Sequence, residues 1–409
     1  MDAILPNLNL HPWEGVYIHL PFCRNLCPFC TFPVVKWNEE KAQNYLQALL
    51  LEIQFWQNHF PEPFSQVRSV YFGGGTPSVY PPEKLFEILQ ALRLPQLSTK
   101  KGEKMLQISI ELNPEDARVD FLQALKDQGW NRFSFGIQTF SSLHLQKIGR
   151  KHTAKQNHQC LEAIAKVGIT NFNLDWIYGY PTYGLKDVNE DLTQFLNANP
   201  THISAYNLTL EPNSRFYSLP EWQKFPKQNE DLVSQEFLTL HAGLQEGGFP
   251  CYEVSNFAKP GYESSQNEIY WQGKNYLGLG LGAFSAWEKD RMQNERKFYA
   301  WLELFSKPGL FPASKYACPA WEKVEKISQK QRLDEYFLIQ LRRPSGLDPE
   351  KMTALYPNFH WGHFLEKACA PLKKNWLVQT KNCWQPSPEG LLVADFLALQ
   401  LSSALEKEW

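Results

Sequence analysis

Three cysteines, Cys23, Cys27 and Cys30, lie within one short stretch near the start of the chain. They directly follow an apolar run at 16–20 that predicts a β-strand, so the thiols are expected on the loop at the C-terminal end of that strand. Thiolates with this C-x3-C-x2-C spacing can bind three irons of a [4Fe–4S] cluster and leave the fourth iron without a protein ligand. That open iron can chelate the amino and carboxylate groups of S-adenosylmethionine and reduce its sulfonium.

A zinc site and ordinary free thiols are the alternative interpretations of these cysteines. Zinc sites normally take four ligands and often use paired C-x2-C units, and the chain contains no second pair. The remaining cysteines, at positions 160, 251, 318, 369 and 383, show no pairing spacing. They indicate free thiols in a reducing compartment, which also suits an oxygen-labile cluster.

Segments of strand character alternate with segments of helical spacing from residue 16 to residue 210. The predicted strands are 16–20, 67–72, 106–112, 132–136, 172–177 and 203–210. The predicted helices are 39–56, 83–92, 119–128, 153–167 and 185–197. Strands that are each followed by a helical segment imply parallel pairing and right-handed crossovers, so an α/β fold with a partial (β/α)6 barrel is predicted. In such barrels the chemistry gathers at the C-terminal ends of the strands.

The length of 409 residues predicts one large and one smaller domain. We expect the barrel and an extension at 1–287, a connecting segment with several prolines at 288–320, and a smaller C-terminal domain at 321–409. The C-terminal pattern predicts helices at 328–341, 349–355, 362–372 and from 389, with a hairpin at 376–379 and 383–385. This pattern is typical of a winged-helix-like module.

Charge and hydropathy exclude several classes of partner. The chain has 41 basic and 43 acidic residues, and the predicted C-terminal domain has 12 Lys and Arg against 11 Asp and Glu, which is too neutral for nucleic-acid binding. A structural or substrate-covering role is favoured for that domain. No run reaches about 18 apolar residues and the N-terminus lacks a basic region before an apolar run, so we expect a cytoplasmic protein without a transmembrane segment.

A glycine-rich motif that includes Gly74, Gly75 and Thr76 ends the second predicted strand. Glycines let the backbone approach a ligand closely, which suits an α-amino group bound near the cluster, although a tight strand-to-helix turn would explain the same pattern. A second series, Gly278, Gly280 and Gly282, suggests a dinucleotide loop, but its final spacing is wrong and no βαβ unit follows.

Four polar residues lie at or near the ends of later strands. Glu111 would be costly to bury without a cationic or hydrogen-bonding partner, and Gln138 ends the next strand. Arg150 could hold a carboxylate with its planar guanidinium group, and Asp175 could accept from both ribose hydroxyls. Each of them taken singly is also compatible with a salt bridge at the barrel mouth or a solvated loop.

The run Tyr17-Ile18-His19-Leu20-Pro21-Phe22-Cys23 and the cysteine loop after it resemble the radical S-adenosylmethionine superfamily, and more narrowly the oxygen-independent coproporphyrinogen III oxidase-like family. The resemblance covers 13–287 and implies the same barrel, with a [4Fe–4S] cluster on Cys23, Cys27 and Cys30. It also implies S-adenosylmethionine binding by the residues that match the family motifs. These are Tyr17 beside the cluster, Phe29 near the adenine, Gly74, Gly75, Thr76, Glu111, Gln138, Arg150 and Asp175.

The chain departs from the family pattern at three places. The oxidases have a further cysteine two residues after the third ligand, whereas this chain has Phe32, which is typical of the HemW (heme chaperone) branch. That branch has a histidine, proposed as a heme ligand, where this chain has Gln266, and Phe284 also replaces a usual histidine. Glutamine is a poor iron ligand beside imidazole, so His152, His202 and His241 are the remaining candidates for an axial ligand.

The resemblance therefore implies a HemW-like radical S-adenosylmethionine protein of heme metabolism that binds heme and transfers it to apoproteins. The alternative is the oxidative decarboxylation of coproporphyrinogen III to protoporphyrinogen IX through a 5′-deoxyadenosyl radical. A radical reaction on another tetrapyrrole or small molecule is a third interpretation. The expected partners are heme or coproporphyrinogen III, heme-accepting apoproteins, and a low-potential electron donor such as flavodoxin or ferredoxin.

Overall fold

The computed structural model of the chain describes residues 11–60, 62–95, 106–305, 318–357, 359–370, 372, 375–380 and 383–406. The strands are β1 (Gly15–Leu20), β2 (Phe22–Cys23), β3 (Val35–Lys36), β4 (Ser69–Gly74), β5 (Gln107–Leu112), β6 (Arg132–Gln138), β7 (Phe172–Tyr178), β8 (His202–Asn207), β9 (Cys251–Glu253), β10 (Asn256–Ala258), β11 (Tyr276–Leu279), β12 (Phe284–Trp287), β13 (Asp290–Asn294), β14 (Trp321–Lys326), β15 (Leu377–Gln379) and β16 (Trp384–Pro386).

The helices alternate with the strands through the first half of the chain and dominate its C-terminal part. They are α1 (Glu39–His59), α2 (Pro82–Ala91), α3 (Val119–Asp127), α4 (Ser142–Lys147), α5 (Ala154–Val167), α6 (Leu185–Asn197), α7 (Pro220–Gln228), α8 (Glu230–Glu246), α9 (Ser265–Trp271), α10 (Phe298–Leu304), α11 (Gln329–Gln340), α12 (Pro349–Leu355), α13 (Trp361–Cys369), α14 (Pro388–Leu392) and α15 (Ala394–Leu405). Short 3-10 helices lie at Pro77–Val79, Pro114–Asp116 and Phe216–Ser218.

Parallel pairing organises the sheet of the first compact unit, which comprises Met1–Trp176, Thr209–Gln223 and Ser264–Lys326. In the order β11-β1-β4-β5-β6-β7, neighbouring strands are parallel. Strands β12, β13 and β14 continue beyond β11 in antiparallel pairing. The predicted α/β fold with parallel strands is confirmed, and β1 has a parallel neighbour on each side.

Local sequence explains where the elements of this unit begin and end. The β1 side chains Val16, Ile18 and Leu20 are fully buried, as expected for a central strand of a parallel sheet. Helix α1 begins after Asn38, whose side chain accepts from the Lys41 amide at 3.0 Å. These features fix the strand that precedes the cysteine loop and the first helix that follows it.

A fully buried carboxylate connects α1 to the loop after β11. Glu52 accepts hydrogen bonds from the Gly280 amide at 2.7 Å and from the side-chain amide of Asn294 at 2.8 Å, and burial raises the pKa of Glu52 to about 8. Gly280 has a φ of +93°, and a Cβ there would lie 2.4 Å from the Tyr45 hydroxyl, so the position requires glycine. Packing against α1 thus accounts for Gly280, whereas a Cβ at Gly278 would meet the Phe284 carbonyl and one at Gly282 would meet Pro33.

The second compact unit comprises Ile177–Leu208, Lys224–Glu263 and Ile327–Trp409. It contains the antiparallel strands β8, β10 and β9 and the packed helix pairs α6 with α8 and α11 with α15. The C-terminal helices and the β15–β16 hairpin lie where the sequence predicts them, around a core that includes Phe337, Leu365 and Leu397. No helix among the described ranges is both long and apolar enough to cross a bilayer.

The predicted connecting segment at 288–320 contains regular structure. Strand β13 and helix α10 lie within it, and residues 306–317 lie outside the described residues. The residues of β14, which fall within the predicted C-terminal domain 321–409, form a strand that was not predicted and that pairs with β13 in the first unit. The polar sequence of β13 carries no clear alternation of apolar residues, which is why its strand was not predicted. The predicted domain boundaries stay a prediction, and the compact units divide the chain differently.

Candidate functional site

The cysteine loop follows β1, and backbone hydrogen bonds connect its first residues to Trp37 and to Thr76. The Trp37 amide donates to the Cys23 carbonyl at 2.8 Å, and the Thr76 amide donates to the Phe22 carbonyl at 2.9 Å. Within the loop, the Cys30 amide donates to the Cys27 carbonyl at 3.2 Å and closes a turn. The loop is therefore held by its own turn and by the glycine-rich segment that follows β4.

Two of the three sulfurs accept a side-chain hydrogen bond within the described residues. The Thr76 hydroxyl donates to Cys23 at 3.4 Å and the Arg150 guanidinium donates to Cys27 at 3.4 Å, while the backbone of Phe32 lowers the pKa of Cys30 against the larger effect of burial. Burial raises the pKa of Cys23 to about 11 and also raises the pKa of Cys30, and the neighbouring thiols add to both shifts. Donors aimed at sulfur stabilise bound thiolates, so the residues present fit an iron–sulfur cluster.

The geometry of the loop differs from that of a single-ion site. Among the residues that the structure describes, no three His, Cys, Asp or Glu side chains converge as ligands of one metal ion. A cubane cluster carries its thiolates on separate irons, so its ligands need not converge on one point. The arrangement is therefore compatible with the predicted cluster.

The glycine-rich motif after β4 packs directly against β1. Gly74 has a φ of +109°, and a Cβ at this position would lie 2.6 Å from the His19 ring, so only glycine fits. The Gly75 amide donates to the Leu20 carbonyl at 2.8 Å. Thr76 bonds Cys23, as described above, and its hydroxyl accepts from the Asn113 side chain at 3.2 Å. The motif thus brings a glycine backbone and a hydroxyl to the edge of the cysteine loop.

Glu111 lies at the end of β5 with its carboxylate facing this motif. It accepts from the Tyr71 hydroxyl at 2.9 Å and from the Gly74 amide at 3.3 Å. Burial, reinforced by repulsion from Asp175, raises the pKa of Glu111 to about 7. An α-ammonium group placed beside Glu111 would relieve that repulsion, so the site fits a cationic amine.

Arg150 connects the cysteine loop to the ends of β5 and β6. Besides Cys27, its guanidinium donates to the side-chain oxygen of Asn113 at 2.6 Å and to the Gly136 carbonyl at 3.3 Å. Gln138 lies two residues beyond Gly136 with a left-handed φ of +67°, at a shift in the β6–β7 register. A non-glycine residue in this conformation is strained, which is common where a strand end lines a site.

The remaining predicted site residues lie on the same end of the sheet. Asp175 is partly buried in β7 and accepts from the Asn173 side chain at 2.7 Å. The ring of Tyr17 stacks on Tyr71, with 6.2 Å between the ring centroids, and its hydroxyl lies 3.1 Å from His19 Nδ1. Phe29 is partly buried inside the cysteine loop itself. Hydrogen bonds, ring stacking and electrostatic effects therefore connect most of the predicted residues, whose cofactor roles stay predictions.

Sequence reasoning missed the residues that link the predicted ones to each other. Asn113 joins Thr76 to Arg150, and Tyr71 joins Tyr17 to Glu111. Asn113 stands two residues after Glu111, so its position at the end of a core strand was a usable signal. Tyr71 gave no such signal, because an aromatic residue inside a strand is usually interpreted as core.

A cavity of about 350 Å³ opens beside the cysteine loop in the first unit. Of the predicted cofactor residues, only Tyr17 lines it. Its walls also include Phe32 and Phe284, two positions at which the chain departs from the family pattern. The structure thus places these two substitutions together at one opening.

The candidate heme ligands are less accessible than the sequence suggests. Gln266 is 1% exposed and packs against Gly15. His152 and His202 are also buried, and they lie 3.3 Å from the Ile137 carbonyl and 2.8 Å from the Tyr252 hydroxyl. His241 is partly exposed and contacts aromatic rings.

The arrangement predicts that four substitutions weaken S-adenosylmethionine binding. Glu111→Ala, Gln138→Ala, Arg150→Ala and Asp175→Ala should each cost about 1–3 kcal/mol, the usual loss for a hydrogen bond to a charged group. Calorimetry on anaerobically reconstituted protein measures the effect, with the exposed Asp120→Ala as a control of unchanged affinity. Because Arg150 also bonds Cys27, its variant alone should lose part of the cluster as well. Unchanged affinity in all four variants would contradict the assignment.

Comparisons with known proteins agree with this geometry. The model of the radical SAM superfamily matches residues 17–195. A protein of Synechocystis named heme chaperone HemW is 32% identical over 97% of this chain and 98% of its own length. A protein of the same name from Lactococcus lactis is 31% identical over 83% of this chain and 84% of its own length.

The fold also matches a solved structure along nearly its whole length. Coproporphyrinogen III oxidase (HemN) from Escherichia coli superposes with a TM-score of 0.76 at 22% identity, covering 96% of this chain and 91% of that one. At this identity the match concerns the fold. The chain belongs to the radical SAM superfamily, in the HemW branch of the coproporphyrinogen III oxidase-like family.

Proposed function

We propose that the chain is a heme chaperone, which binds heme and passes it to apoproteins. Membership of the radical SAM superfamily implies a [4Fe–4S] cluster and S-adenosylmethionine as cofactors. When bound, a cluster of this kind supplies low-potential electrons to the sulfonium. The chain's own part is to hold the irons through Cys23, Cys27 and Cys30 and to orient the cofactor with Glu111.

The proposal rests on one observation, the presence of phenylalanine at position 32. The oxidases that the chain resembles have a cysteine at this place, whereas here the side chain is an apolar ring, 64% exposed at the opening of the cavity. Such a ring provides a surface for a flat ligand and no thiol for radical chemistry. The two relatives reported above, which are named heme chaperones, support the same choice.

Oxidation of coproporphyrinogen III is the second candidate function, because the fold matches that of an oxidase. For either function, a low-potential donor such as flavodoxin or ferredoxin would reduce the cluster. All eight cysteines of the chain are free, which suits a reducing compartment, so we place the protein in the cytoplasm.

One anaerobic assay separates the two functions. Reduced holoprotein with S-adenosylmethionine and coproporphyrinogen III should form no protoporphyrinogen by mass-resolved chromatography. The same sample should shift the absorption band of added heme and load an apo-hemoprotein. The cluster-free Cys27→Ser variant serves as a control that yields no product by radical chemistry. Accumulation of the divinyl product over repeated turnovers would instead establish the oxidase.

A further inference from the structure

We propose that the cavity beside the cysteine loop binds the carboxylate-bearing edge of a flat tetrapyrrole, with Arg296 pairing a propionate, and that it does so without contacting the central metal. The ligand class rests on the function proposed above. The residues that line the cavity define the site and its charge. They also indicate that binding there does not need a bond to the central metal of the ligand.

The cavity walls are rich in aromatic side chains. Tyr17, Tyr270 and Tyr276 line it, and the rings of Tyr270 and Tyr276 lie 4.5 Å apart by their centroids. At the opening, Phe32 is 64% exposed and Phe284 is 54% exposed. Two large apolar side chains that line one cavity and remain exposed favour a flat, apolar ligand that they can cover.

Arg296 supplies the charge of this cavity. No aspartate or glutamate is among the lining residues, so the cavity carries a single sign of charge. Arg296 is exposed, and within the described part of the chain its guanidinium has no ion pair or hydrogen bond. An unpaired guanidinium beside an aromatic wall is suited to a carboxylate attached to a flat ring.

The cavity offers iron no free histidine nitrogen, and burial raises the pKa of the Tyr17 and Tyr270 phenols, which disfavours their binding to iron as phenolates. His19 is its one histidine, and both ring nitrogens are engaged: Nε2 lies 3.0 Å from the Pro33 carbonyl and Nδ1 lies 3.1 Å from the Tyr17 hydroxyl. Because a carbonyl only accepts, Nε2 carries the proton and Nδ1 accepts from Tyr17. Iron ligation by His19 would have to break this pair of bonds, so recognition in the cavity falls to the ring and its carboxylates.

The size of the cavity agrees with partial burial of a ligand. Its volume of about 350 Å³ is at the small end of the ~300–1,000 Å³ typical of small-molecule pockets. A tetrapyrrole would enter by one edge and leave the opposite edge outside the opening. An exposed edge is what a second protein needs in order to take over the ligand.

The test is fluorescence titration of the full-length protein with metal-free protoporphyrin IX and with its dimethyl ester, alongside absorbance titration with heme. Metal-free porphyrin should bind within about threefold of heme. Arg296→Gln should weaken binding of the diacid about three- to tenfold, as expected for one charged contact at an exposed site, and leave the ester unchanged. Phe284→Ala should weaken both ligands.

Lys297→Gln is the matched control, because it removes the same charge at the adjacent exposed position, which does not line the cavity. It should leave all three affinities unchanged. If heme bound and metal-free porphyrin did not, the inference would be overturned and the chaperone proposal would stand. If neither heme nor porphyrin bound, the chaperone proposal itself would be overturned. Equal losses for diacid and ester in Arg296→Gln, or competitive displacement of porphyrin by S-adenosylmethionine, would also overturn the inference.

Discussion

Replacement of any one of Cys23, Cys27 and Cys30 by serine is expected to abolish the broad charge-transfer absorption of the anaerobically reconstituted protein. In the proposed cluster each thiolate would hold its own iron, and the sulfurs of Cys23 and Cys27 have separate donors in Thr76 and Arg150. Loss of one ligand therefore cannot be compensated by the other two. Iron and sulfide content, together with the absorption spectrum, measure the effect.

Cys251→Ser and Cys383→Ser are the matched controls, because both residues are free cysteines that belong to the second compact unit and not to the cysteine motif. They should retain full cluster content. If either control lost the cluster while Cys27→Ser kept it, the ligand assignment would be wrong.

Glu52→Gln is expected to stabilise the protein increasingly as the pH rises from about 5 to about 8. The carboxyl of Glu52 has a folded-state pKa of about 8 against an ordinary value of 4.5. A raised carboxyl pKa means that the folded state retains a proton that the unfolded state has released. The stability that this proton provides is complete below the unfolded pKa and is lost as the pH rises through the folded pKa.

The expected difference between Glu52→Gln and the natural chain grows by roughly 3 kcal/mol over this pH range, as an order of magnitude. The glutamine can still accept from the Gly280 amide. Its new N–H₂ cannot accept from Asn294, whose side-chain nitrogen also donates to the Gly280 carbonyl at 2.8 Å, so this bond is lost at every pH and the growth of the difference with pH is the test. Urea unfolding at several pH values measures the free energy of unfolding.

Glu40→Gln, on the exposed first turn of α1, is the control that removes the same charge from the same helix. Its effect should not change between pH 5 and pH 8. A constant difference between Glu52→Gln and the natural chain over this range would show that Glu52 titrates normally.

The parallel sheet could be predicted from the sequence because its strands are short apolar runs separated by clear helical spacing. Helix α6, at Leu185–Asn197, lies where the pattern predicts it. The C-terminal hairpin was also predicted, since turn residues separate its two strands. In both cases the information is local to the segment.

Contacts between distant segments could not be predicted in this way. The sequence suggests that Arg150 binds a carboxylate, but nothing in it shows that the guanidinium reaches Cys27, 123 positions earlier. The parallel pairing of β11 with β1 also cannot be predicted from the sequence of either strand, because it depends on how the chain returns to the first strand. Such contacts follow from the tertiary fold, which a local pattern does not specify.

The antiparallel strands beyond β11 limit how the gene could be shortened. A fragment ending at Trp287, where the sequence predicts the end of the barrel domain, would lack β13 and with it Asn294. Glu52 would then lose one of its two hydrogen-bond donors, and β12 would become a bare edge strand. An expression fragment that keeps both donors to Glu52 and a paired β12 must therefore extend at least through Asn294, the last residue of β13.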